Sequence, residues 1–345
     1  MKKLLAIIFV VLVTIALYFS PVKTIILNII YPHYVEFVQK GYTLDEIKRF
    51  KADLSEDEYQ LVYEHEYASD IFKIVTDANY AALKDKKYSE QEADEILSLE
   101  DAMIQFYLNH DNLSAYYDII HHDYFVLDRF DRYVAYTNKY PDRDLTQRIR
   151  LVNVNRDYIL YTHIQEVDLS LGTQLLVNKY YQLPQDYVPE LKETYLGFMM
   201  QPEAADALTQ MCLAMQEIGL DFSISNTYRS YDKQVSIYNR YLEKDSQNVV
   251  DGFSARPGHS EHQAGLAVDF KSTTEDIVYF ENTDAYEWLI KNAHNYGFIQ
   301  RYTEENSVYT GYQAEAWHFR YVGKDLALKV YESHLTLEEV LLLNR

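Results

Sequence analysis

Two short segments in the last third of the chain constrain its fold and chemistry more than anything else in it. They are Ser260-Glu-His-Gln-Ala-Gly-Leu-Ala-Val-Asp269 and Glu315-Ala-Trp-His318. Together they hold two histidines, one aspartate and one further carboxylate. A catalytic zinc site needs such a set: three protein ligands, an open position and a general base. His262 and Asp269 are seven residues apart. On one helix that is roughly 10 Å of rise, too far to share an ion. A bend from loop to strand removes the difficulty. Pro257, Gly258 and Gly265 permit it, and Leu266-Ala-Val-Asp-Phe270 reads as the strand that follows. Glu315 and His318 would face opposite sides of an ideal strand, so a turn or a strand start is expected between them.

These residues carry a family resemblance. The stretch Arg256 to Asp269 resembles the SxHxxGxAxD signature of VanY-type D-alanyl-D-alanine carboxypeptidases, and Glu315-Ala-Trp-His318 resembles their ExWH signature. Tyr228-Arg-Ser-Tyr-Asp-Lys-Gln234 and Tyr296-Gly-Phe-Ile-Gln-Arg-Tyr302 agree with it as well. The likeness runs over roughly residues 170 to 335 with the order intact. The wider group also holds D,D-dipeptidases, L,D-carboxypeptidases and some endopeptidases. All are zinc enzymes acting on D-amino-acid peptides of the cell wall, so the motifs identify the chemistry better than the bond cut.

The resemblance implies that His262, Asp269 and His318 are zinc ligands. It implies that Glu315 is the general base, taking a proton from the attacking water and giving it to the leaving amine. Arg229 is implied as the group that stabilises the oxyanion. Ser260, Gln234 and Ser230 are candidate substrate contacts, and Trp317 either lines the cavity or packs. Taken singly, each of these residues would more often be structural, such as a satisfied core histidine, a surface arginine or a turn-capping serine.

Net charge is −21, which argues against nucleic acid as a partner. The composition, 48% hydrophobic and 25% charged, is that of a folded chain, and 345 residues favour two domains plus accessories. The 34 tyrosines read as half-buried amphipathic contacts rather than as a glycan-stacking surface. Lys2 and Lys3 precede an apolar run from Leu4 to Phe19 broken only by Thr14. This is export-type sequence. With no small-x-small site after the run, an uncleaved signal anchor over residues 1–31 is expected, the rest of the chain facing outward. The single cysteine, Cys212, excludes an internal disulfide and sits in an amphipathic helical pattern as a buried small side chain.

Residues 32–145 read as an all-α module of unknown partner, with two loosely similar units offset by about 45 residues. Thr43 with Glu46 and Ser89 with Glu92 match the capping box. Residues 146–345 read as the peptidase domain. Strands are expected at Leu175–Tyr180, Phe222–Thr227, 298–302 and 317–322, and helices after Pro202, over Asp232–Glu243 and from Asn282 or Thr283 to Gly297. Without a regular βαβ rhythm, this predicts an α+β domain, a small antiparallel sheet with flanking helices.

The sequence lacks HExxH, a Walker loop, a dinucleotide glycine pattern and a GxSxG elbow. The expected function is removal of the C-terminal D-alanine from peptidoglycan stem peptides. Two alternatives stay open here: an L,D-carboxypeptidase acting on tetrapeptide stems, and a non-catalytic wall scaffold with a structural zinc site.

Overall fold

Capping chemistry sets the helix starts in the first half of the chain. The computed structural model describes residues 21–343, so the export-type run Leu4–Phe19 lies outside the described residues. Thr43, Ser55 and Ser89 each accept from the backbone N–H three residues on, while Glu46, Glu58 and Glu92 reach back to close the box. Among the described residues no helix is long and apolar enough to cross a membrane. The short helix Pro21–Ile30 does expose Ile25, Ile29 and Ile30.

The chain divides into two compact units, Met1–Tyr117 and Asp118–Arg345. In the described part of the first, short helices enclose Phe37, Ile47, Phe50, Tyr59 and Val62. A lysine–tyrosine clamp recurs in it. Lys40 Nζ donates to His65 O at 2.7 Å and Tyr42 Oη accepts from Ala68 N–H at 3.3 Å. Lys86 Nζ likewise donates to His110 O, and Tyr88 Oη accepts from Leu113 N–H.

The second unit takes in residues 118–145 as well. Arg129 donates to Leu342 O at 3.1 Å, and Arg150 pairs with Glu339. These bonds tie helices early in the unit to the helix Leu337–Leu343.

The second unit is α+β, as expected. Two ribbons come first: β1 (Gln165–Glu166) parallel to β2 (Tyr181–Gln182), and β3 (Lys192–Glu193) antiparallel to β4 (Met199–Met200). The main sheet is antiparallel: β5 (Ser223–Asn226), β6 (Ala267–Lys271), β7 (Phe298–Tyr302) and β8 (Glu315–Tyr321), in the order β5-β6-β8-β7. The helix Pro202–Glu217 packs its Leu208, Met211, Cys212 and Met215 stripe onto the core that also holds Val268, Phe270 and Phe319. Cys212 is fully buried, and burial pushes its thiol up to about 12. The expected helices start on cue, with Ser230 capping Tyr231–Leu242 and Thr283 capping Asp284–Asn292.

Leu175–Tyr180 is not a strand. Leu175, Leu176 and Val177 are buried, but Asn178 Oδ1 accepts from the N–H groups of Tyr180 and Tyr181 and turns the chain before extended pairing begins at Tyr181. The apolar run signalled burial, and the asparagine broke the extension.

Candidate active site

The site is assembled where the bend, β6 and β8 meet. Residues 260–265 form a tight turn in which Gly265 N–H donates to His262 O at 3.0 Å. Gly265 takes φ 67°, a conformation that favours glycine, and a Cβ there would press on Pro189 and Leu191 at 3.2 Å. The turn delivers His262 to the side of Asp269 in β6 and to Thr227, the residue after β5. Within the sheet, Asp269 of β6 pairs directly with His318 of β8.

Of the two alternatives expected there, no turn separates Glu315 from His318, and β8 starts at Glu315 itself, so both lie within it. A bulge does the work of the turn. Gln300 pairs with Phe319 but Tyr302 pairs with Glu315, so three residues of β8 oppose Arg301 alone. The extra residues break the alternation, and Glu315 Oε2 comes within 3.8 Å of His318 Nδ1.

His262, Asp269 and His318, all buried, are the described residues whose donor atoms cluster as metal ligands, all within 4.8 Å of one another. His262 Nδ1 donates to Thr227 O at 2.6 Å. That leaves Nε2 facing Asp269 Oδ2 at 3.1 Å. His318 Nε2 lies 3.2 Å from Glu261 Oε2, and Nδ1 faces Asp269 Oδ1 at 3.0 Å. Two imidazole nitrogens thus point at one carboxylate from two sides, and a cation among them satisfies all three. With ligand distances of about 2.0–2.1 Å, a tetrahedral zinc sets its ligands roughly 3.3 Å apart, close to the two imidazole–carboxylate spacings, within a cluster whose donor atoms lie no more than 4.8 Å apart. Two nitrogens and one oxygen are the donor types zinc takes. The residues present therefore fit the ion.

Charge in the site follows from burial and neighbours. Burial pushes the Asp269 carboxyl up, but His262 and His318 outweigh it and hold it well below the usual range. Burial raises Glu315 to about 7. Arg229 is pulled down by burial, and its Nη2 lies 3.8 Å from Asp269 Oδ2.

A cavity of about 210 Å³ opens onto this cluster, lined among others by Arg229, Arg240, Ser260, His262, Tyr302, Tyr312, Glu315 and His318. A larger cavity, about 540 Å³, beside His294 and Tyr331 contains no such ligand cluster, so size does not mark the site.

Of the residues expected to touch substrate, Ser260 lines the cavity. Gln234, Ser230 and Trp317 do not. Gln234 is buried, its Oε1 accepting from Arg229 Nη1 at 2.6 Å and its Nε2 donating to Ala255 O. Ser230 Oγ caps the following helix, and Trp317, inside the bulge, packs on the core. Sequence reading assigned no role to Glu261, Arg301, Tyr302 or Tyr312. The available signal was charge within apolar strand, at Arg301 in β7 and Arg320 in β8.

The family model for VanY, D-alanyl-D-alanine carboxypeptidase, matches residues 197–324. The YodJ protein of Bacillus subtilis is 37% identical over 177 residues, 48% of this chain and 65% of its own length. The chain therefore spans slightly less than two thirds of that relative. A D-alanyl-D-alanine carboxypeptidase of Enterococcus faecalis is 32% identical over 191 residues, 53% of this chain and 70% of its own. A vancomycin-resistance D,D-pentapeptidase, VanY, solved in complex with Zn(II), is 30% identical and covers 49% of this chain and 98% of that one, with a TM-score of 0.44. The signatures around His262 and His318, the match over residues 197–324 and the identity across most of the Enterococcus faecalis protein agree, and the chain belongs to the VanY family of D-alanyl-D-alanine carboxypeptidases.

Proposed function

We propose that this chain is a zinc carboxypeptidase that hydrolyses the terminal peptide bond of peptidoglycan stem pentapeptides and releases D-alanine. One observation carries the reading. A buried His262–Asp269–His318 cluster opens onto a cavity that also holds Glu315 and Arg229. Structural zinc sites are closed by four protein ligands, whereas catalytic sites keep one position free. Three ligands beside an open cavity therefore favour catalysis over the scaffold reading.

His262, Asp269 and His318 would hold the ion, with Thr227 O fixing the His262 ring from behind. When bound, zinc supplies Lewis acidity and lowers the pKa of water. Glu315 is the proposed base. Burial raises its carboxyl above the ordinary range, which helps it to take a proton from the attacking water and return it to the leaving amine. Arg229 brings a fixed guanidinium to the same cavity, where it neutralises charge developing on the carbonyl oxygen. Gln234 holds that guanidinium from behind. Ser260, on the cavity wall, is the proposed substrate contact.

The proposed location is the outer face of the cell membrane, with residues 1–31 as the anchor. Support comes from Lys2, Lys3 and the apolar run to Phe19.

The direct test incubates the zinc-loaded protein with pentapeptide and tetrapeptide muropeptides and follows the masses, with Glu315→Ala and a chelator as controls. Loss of one alanine from the pentapeptide alone is expected. Loss from the tetrapeptide would move the specificity to L,D. No change in either, with Glu315→Ala indistinguishable, would leave the scaffold reading standing.

A further inference from the structure

Glu261, Arg301, Arg320 and Glu338 are all buried, none more than 2% exposed. Buried charges are tolerated when paired, and here they pair in a row, Glu338–Arg301–Glu261–Arg320. Arg301 Nε donates to Glu261 Oε1 at 2.8 Å. Its Nη1 and Nη2 donate to the two oxygens of Glu338, at 3.0 and 2.5 Å. Arg320 Nη1 donates to Glu261 Oε1 at 3.1 Å, and its Nη2 is used by Leu175 O and Thr173 O. Two carboxylates and two guanidiniums balance, and each is fixed by bonds from different elements. Glu261 belongs to the bend, Arg301 to β7, Arg320 to β8 and Glu338 to the helix Leu337–Leu343.

The remaining oxygen of Glu261 faces His318 Nε2 at 3.2 Å. A carboxylate held between two guanidiniums is an acceptor only, so Nε2 must carry the hydrogen. That choice leaves Nδ1, on the ring edge facing Asp269, with a lone pair for an ion.

We propose that Glu261 is a positioning residue for the metal site, fixing the ring and tautomer of His318, and that Glu338 holds Glu261 in place through Arg301. The inference rests on the zinc reading above and reaches beyond it. Glu338 lies outside residues 197–324, so a helix beyond the family match helps set the geometry of a ligand within it.

The experiment measures the zinc dissociation constant of the full chain by competition with a chromophoric chelator, and the visible spectrum of the cobalt-loaded protein. The proteins are the parent, Glu261→Gln, Glu338→Gln and Arg150→Gln. The last breaks the neighbouring Arg150–Glu339 pair, which bonds to no ligand, and so controls for lost stability. Glu261→Gln should weaken zinc binding about 10- to 100-fold and shift the cobalt bands. Glu338→Gln should weaken it in the same direction by a smaller factor, and Arg150→Gln should leave affinity and bands unchanged while lowering the melting temperature. A folded Glu261→Gln protein that binds zinc like the parent would overturn the proposal. If that variant does not fold, parent-like affinity in Glu338→Gln overturns the link to the helix and the proposal with it. A parent that binds no zinc would instead remove the zinc reading itself.

Discussion

Gln234 Oε1 accepts a 2.6 Å hydrogen bond from Nη1 of Arg229, and the other end of the same amide is tied to Ala255 O. Gln234 is thus a brace behind the guanidinium. Arg229→Ala should lower kcat about 10²- to 10³-fold, the usual cost of removing one oxyanion donor. Gln234→Leu should lower kcat by about 10- to 100-fold through misplacement of Arg229, with KM nearly unchanged. Steady-state kinetics on a pentapeptide substrate separate the two roles, since loss of a substrate contact would raise KM instead.

Glu315 makes the reaction sensitive to pH. Burial raises its carboxyl to about 7 in the metal-free chain, and the charge of a bound zinc pulls it down again. A base works when ionised, so kcat/KM should climb with pH through a limb centred at or below about 7. Glu315→Gln should cost about 10²- to 10⁴-fold in kcat and keep its zinc, measured by metal analysis. Unchanged activity would remove Glu315 from the mechanism.

Zinc and protons compete at His318. Burial pulls its pKa down, but the bonds to Asp269 and Glu261 outweigh burial and raise it to about 9. In the metal-free chain Nδ1 is therefore protonated at neutral pH. A metal must displace that proton, so apparent zinc affinity should rise about tenfold per pH unit up to about 9. Calorimetry in buffers of differing ionisation enthalpy should count more than one proton released at pH 7, about one from His318 and a fraction from Glu315. No release there would mean that the ring is already neutral.

The bend and the strand after it were legible in the sequence because Gly265 and the apolar run from Leu266 are local signals. So were the caps at Thr43, Ser89 and Thr283, since each is decided within one turn. The bulge in β8 was not legible. It exists only in the register between β7 and β8, and no feature of Glu315-Ala-Trp-His318 alone announces it. The same holds for Gln234 and Glu261. Their partners, Ala255 O, Arg301 and Arg320, are brought to them by the fold, so Gln234, which reads as a candidate substrate contact, and Glu261, which reads as nothing in particular, are both buried links. Leu175–Val177 shows the converse, for apolar composition reported burial faithfully and conformation wrongly.

Lys179 gives the fold a pH dependence of its own. It is 1% exposed, its ammonium bonded to Asp251 O and stacked 3.4 Å from the centre of the Tyr312 ring on the cavity wall. Burial pulls its pKa down to about 7. The unfolded lysine keeps its proton to about 10.4, so between about pH 7 and 10 the unfolded chain binds more protons than the folded one. Stability contributed at this position must therefore rise with pH across that window. Lys179→Met removes the titration and keeps most of the packing. From pH 7 to pH 10 the difference in unfolding free energy between parent and variant should move in favour of the parent by about 3 kcal/mol, read from urea melts at both pH values. Common ionisations elsewhere cancel in that difference. A difference that stays constant would mean that Tyr312 and Asp251 O hold the ammonium charged throughout.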